Sequence, residues 1–117
     1  MKYATIIAAI LFCLSCVNHT TGPVTNVNAY PKMMESAKAD KRYMMMHSGV
    51  ERYTITFLEV EKSKQQFTVQ LNKPDSARLA NGNGKQLHVY MRDSTSYTLD
   101  EPHTIPFSKV ERLEVVR

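Results

Sequence analysis

Two stretches of strict alternation constrain the fold more than any other feature of the chain. Phe67, Val69 and Leu71 alternate with Gln66, Thr68 and Gln70, and Leu87, Val89 and Met91 alternate with His88, Tyr90 and Arg92. Successive side chains of a strand point to opposite faces, so each stretch predicts a strand with one buried and one wet face. Residues 43–47 form a compact apolar run closed by Ser48-Gly49, and residues 53–60 are rich in β-branched and aromatic types, which predicts two more strands. In the second of these, Tyr53, Ile55 and Phe57 share one parity while Leu58 and Val60 take the other, so a bulge is expected near Phe57 and Leu58. Lys62-Ser63-Lys64 is a polar turn that joins this strand to the next as a hairpin. Pro74 ends the third strand, residues 75–79 offer one helical turn, and Asn81-Gly82-Asn83-Gly84 favours a loop with positive φ. Asp93-Ser94-Thr95 reads as a turn into residues 96–99, a second hairpin. Ile105, Phe107, Val110, Leu113 and Val115 change spacing twice, which predicts strand, one helical turn, strand over residues 104–117. The expected fold is mostly β: a small antiparallel sandwich or partly open barrel of six or seven short strands, spanning residues 42–117.

The first residues have a different logic. Met1-Lys2-Tyr3 is short and positive, and residues 4–14 are uncharged and mostly apolar, the length of the core of a signal peptide. A membrane-spanning helix needs about twenty apolar residues, and Asn18, His19, Thr20 and Thr21 end this run too early. Cys13-Leu14-Ser15-Cys16 places a small residue directly before a cysteine and resembles the lipobox of bacterial lipoproteins, with Cys13 where the usual pattern has Leu. The resemblance implies cleavage after Ser15 and acylation of Cys16, leaving residues 1–15 as a signal peptide. Acyl chains hold a protein on a bilayer at about 0.8 kcal/mol per buried methylene, so lipidation fixes location without help from the fold. Residues 16–41 mix Asn, Thr, Gly, Pro and short helix formers with no sustained apolar stripe, and read as a lipidated cysteine followed by a flexible tether. At most a short helical turn is expected at residues 33–41. Such a tether reaches roughly 25 to 30 Å.

Together with that start, Arg42-Tyr43-Met44-Met45-Met46-His47-Ser48-Gly49 and the ending Ile105-Pro106-Phe107-Ser108-Lys109-Val110-Glu111-Arg112-Leu113-Glu114-Val115 resemble a group of small bacterial envelope lipoproteins of unassigned function. The resemblance implies a lipid-anchored β domain facing the periplasm or the cell surface. It transfers no catalytic residues.

Composition excludes some classes. Hydrophobic content of 43 % with 22 % charged residues is enough to bury a core, so wholesale disorder is not expected. The formal charge of +4 is spread among interspersed acids and bases, without the basic stripe that tracks a phosphate backbone, and nucleic acid is not an expected partner. Both cysteines lie within the first sixteen residues, so the folded part has no thiol for a disulfide, a metal or nucleophilic attack.

The residues left to carry chemistry are few. His47, His88 and His103 are the candidates for a metal site or an acid–base pair, converging with Asp93, Asp100 or Glu101. None of the three has the close spacing of a zinc motif. Met44-Met45-Met46, with Met33 and Met34, contains soft ligands, yet consecutive strand residues face opposite sides and cannot reach one ion, so core filling is expected. Gly82-Asn83-Gly84-Lys85-Gln86 lacks the spacing and the hydroxyl residue of a phosphate loop, and no cofactor is expected. Ser48, Ser94, Ser96 and Ser108 sit in no glycine-flanked elbow. The leading expectation is a non-enzymatic envelope lipoprotein with a binding or accessory role, docking a partner at an edge strand. The alternative is a small periplasmic hydrolase or metal-dependent enzyme using His47, His88 and His103. A carrier of an apolar ligand would need an empty barrel interior, which a chain of this length barely supplies.

Overall fold

The computed structural model describes residues 22–74 and 85–116. The expected signal peptide at residues 1–15, Cys16 and the loop expected at residues 81–84 lie outside the described residues, as does the helical turn expected at residues 75–79. Six strands appear in chain order: β1 (Tyr43–Ser48), β2 (Glu51–Glu61), β3 (Gln66–Asn72), β4 (Gln86–Met91), β5 (Pro102–Pro106) and β6 (Val110–Val116). They form one sheet in the order β5-β3-β2-β1-β4-β6. The domain is mostly β, as the alternation implies.

Most pairings are antiparallel, but β1 and β4 run parallel, with Tyr43 opposite Gln86 and His47 opposite Tyr90. The β2–β3 hairpin forms as expected, closed by a 3-10 turn at Lys62–Lys64 and by Gln65 at φ 55°. The second expected hairpin does not form. Residues 94–98 hold no strand, and β4 takes β1 and β6 as neighbours instead. Local alternation identified β4, but its partners are remote in sequence.

The bulge in β2 falls between Ile55 and Phe57. It leaves Thr56 and Phe57 both exposed and returns Leu58 to the inner face, which settles the parity conflict. Residues 51–54 of β2 pair with β1 and residues 54–61 with β3, so this long bent strand is shared by two halves of the sheet. At its two ends the sheet is drawn together. Laid flat, six strands would separate β5 from β6 by about 24 Å. Yet Pro106 and Val110 are joined by a 3-10 turn at Phe107–Lys109, whose four peptide steps span at most about 15 Å. Phe107 N–H donates to Gln65 O at 3.0 Å beside β3, and Arg92 N–H donates to Lys109 O at 2.9 Å beyond β4. The sheet therefore curls into a partly open barrel without closing.

Residues 22–41 were expected within a flexible tether, but they are part of the folded unit. Val24 exchanges two backbone hydrogen bonds with Leu113 of β6, at 2.8 and 2.9 Å. A 3-10 turn at Val27–Ala29, capped by the Asn26 side chain, leads into helix α1 (Tyr30–Ala39). Tyr30, Met34 and Ala37 are spaced i, i+4, i+7 and are wholly buried against the inner face. Pro31 in the first turn favours this start, because its missing N–H has no partner there anyway. Phe67 and Phe107 stack at 5.6 Å between ring centroids, and Tyr30 meets Phe107 edge-on at 6.3 Å. The barrel interior is thus filled by the helix stripe and by Met46, Leu71, Leu87 and Leu113. Among the described residues no helix is long and apolar enough to cross a membrane.

Candidate functional site

Pairing across β2, β1, β4 and β6 assembles a face that the sequence alone does not show. Met44, Met46 and Ser48 point into the core, so Tyr43, Met45 and His47 take the outer side of β1. By the same parity Gln86, His88 and Tyr90 face outward on β4, and Arg112 and Glu114 on β6. Register then aligns Arg52, His47, Tyr90 and Arg112 in one row, and Thr54, Met45, His88 and Glu114 in the next. The methionines separate as their alternation requires, Met45 lying on the outer face and only 2 % exposed.

The first row is a stack of planar groups. His47 lies over Tyr90 with centroids 4.3 Å apart and planes at 7°, and the Arg112 guanidinium carbon sits 3.9 Å from the centroid of the Tyr90 ring. Arg112 Nε also donates to Glu114 Oε2 at 3.2 Å, which fixes the guanidinium on the ring. In the second row, His88 Nε2–H donates to Gln86 Oε1 at 3.0 Å. That assignment follows from the amide oxygen being an acceptor, and it leaves His88 Nδ1 as a lone pair. His47 Nε2–H then donates to that lone pair at 2.8 Å.

Both imidazoles are held neutral. Burial lowers the His47 pKa from 6.5 to about 4, helped by the neighbouring His88, Arg52 and Arg112 and opposed by Glu114. Burial also lowers His88, again against Glu114. A base that weak has little driving force for proton abstraction at neutral pH. Because the folded state resists protonation, stability is complete above the unfolded value of 6.5 and is lost as pH falls from there toward about 4. After discounting for solvent access, the loss should total roughly 1 to 2 kcal/mol. Urea unfolding at pH 7.5 and 4.5 measures it, and a His47→Gln variant should show a clearly smaller pH difference.

His103 does not join the pair. It lies on β5, with β3 and β2 between it and β1, and its Nε2–H donates to Thr98 O at 2.8 Å. The candidate carboxylates are equally dispersed. Asp100, at φ 62°, turns the chain and donates its N–H to Leu71 O, and Glu101 is exposed. Among the described residues no cluster of three or more His, Cys, Asp or Glu forms a metal-holding group. The serines do not assemble either. Ser48 is buried and donates to Thr95 O at 2.6 Å, while Ser108 offers only its carbonyl, to Arg92.

Beside the stack, at the end of the sheet where β1 turns into β2, runs a groove of about 420 Å³ walled by His47, Gly49, Tyr90, Asp93, Ser94 and Glu111. Its walls are fixed by backbone contacts. Gly49, at φ 62°, passes so close to Ser94 that a Cβ at Gly49 would stand 2.5 Å from Ser94 Cβ. Asp93 Oδ1 is buried there with no hydrogen-bond partner among the described residues. At the hairpin tip next to the groove Val50 is 94 % exposed. Sequence reasoning singled out His47, His88 and Asp93 but missed Tyr90, Arg112 and Arg52. The outward parity of Tyr90 and Arg112 was available, whereas the parallel β1–β4 register that aligns them was not. No family model, curated protein or solved structure matches the chain.

Proposed function

We propose that the chain is an exported lipoprotein, acylated at Cys16, whose β domain is a non-enzymatic binding or accessory module of the cell envelope. The observation that carries the binding role is the groove beside the His47–Tyr90–Arg112 stack, with Val50 exposed at its lip. Rigid planar walls, charged groups of both signs and an exposed apolar tip suit a protein partner, since such surfaces give contact area at low ordering cost. The tip is a better docking surface than either sheet edge. On β6 the edge is already taken at Leu113 by Val24, and on β5 both terminal residues are prolines without an N–H to donate. A hydrolytic or metal-dependent reading draws on the 2.8 Å contact between His47 and His88, but it lacks His103 and rests on a weak base. Photo-crosslinkers at Val50 and, as a control, at Phe57 should be compared in intact cells. One recurrent envelope protein captured from position 50 and not from 57 is the expected result. Equal capture of bulk proteins from both positions would overturn the binding role.

A further inference from the structure

We propose that the end of the domain opposite the groove rests on the membrane, against a surface of anionic phospholipid. This rests on acylation at Cys16. Val24 pairs antiparallel with Leu113, so Gly22 lies toward Val115 and Val116, the end of the sheet shared with Tyr43 and Gln86. Val50 and the groove stand at the other end of the same strands.

Five residues lie between Cys16 and Gly22, so the six peptide steps that join them span at most about 22 Å. An acyl anchor on so short a lead holds the entry end close to the headgroups. That end has the matching chemistry. A second groove, of about 340 Å³, opens between α1 and β6, floored by Ala29, Met33 and Val115 and rimmed by Lys32 and Arg42. At the same end of the sheet, on its outer face, Val116 is 38 % exposed. The segment 30–42 carries Lys32, Lys38, Lys41 and Arg42 against Glu35 and Asp40, and Asp40 is held by Arg42 at 2.9 Å. Cations over an apolar floor match an anionic interface, where each contributes separately to attraction. The groove at the far end is thereby turned away from the bilayer, toward a partner.

The test uses acylated protein recovered from membranes, with a single added cysteine carrying an environment-sensitive fluorophore at Met33→Cys, Val116→Cys or Val50→Cys. The protein is placed on phosphatidylcholine vesicles with and without phosphatidylglycerol, containing a headgroup-depth quencher. Strong quenching at 33 and 116 on the anionic vesicles, and little at 50, is the expected result. Lys32→Gln, which removes one positive charge, should lower the contact population about fivefold. Vesicle-bound protein with all three positions equally unquenched would overturn the proposal while leaving lipidation intact. Quenching at 33 and 116 that ignores phosphatidylglycerol would overturn the anionic surface. Protein that carries no acyl chain removes the premise, and the proposal falls with it.

Discussion

Replacing Tyr30 by alanine is expected to lower the unfolding free energy by about 3 to 5 kcal/mol. The ring is wholly buried, meets Phe107 edge-on, and its hydroxyl donates to Glu111 O at 3.1 Å. Alanine removes the ring from a core formed jointly by α1 and the sheet, and leaves a void that the curled strands cannot easily collapse into. Tyr30→Phe isolates the hydroxyl and should cost only about 1 kcal/mol. A residue in a flexible tether would change stability by less than about 0.5 kcal/mol on either substitution. Urea unfolding of residues 16–117 carrying Cys16→Ala, which leaves no thiol to acylate, separates the two accounts.

A substitution at Gly49 should act on both stability and the groove. Gly49→Ala places a side chain at φ 62°, where an L-residue pays about 1 to 2 kcal/mol, and forces Ser94 Cβ to move from 2.5 Å. The combined loss is expected to be about 2 to 4 kcal/mol. Ser94→Gly in the same chain removes the nearest clashing atom and should recover about half, giving a favourable coupling between the two positions. Since Ser94 forms a wall of the groove, crosslinking from Val50 should fall in Gly49→Ala and return in the double variant. Additive losses in the double variant would mean that the two segments do not touch.

Much of the sheet was legible because its signals are local. The alternation of Phe67, Val69 and Leu71 and of Leu87, Val89 and Met91 matches their burial one for one. The bulge in β2 and the turn between β5 and β6 were also legible, as each is a change of period within a few residues. The helix was not, because its stripe begins at Tyr30. A reading that starts at Met33 sees only Met34 and Ala37, too few to define a face, and treats Tyr30 and Pro31 as loop. The parallel pairing of β1 with β4 was invisible for another reason: register between strands some forty residues apart is set by packing of the whole core, not by any local pattern. The candidate site inherits that limit. His47 and His88 could be singled out by type, but their contact and their stacking partners depend on that register.

Everything functional in this account stands on export and acylation at the first residue after the leader. Growth of the native host with a labelled fatty acid, followed by fractionation of wild type and Cys16→Ala, tests it directly. The account predicts label on the wild-type chain in the membrane fraction and none on Cys16→Ala. An unlabelled, full-length wild-type chain in the soluble interior, with its leader still attached, would contradict it.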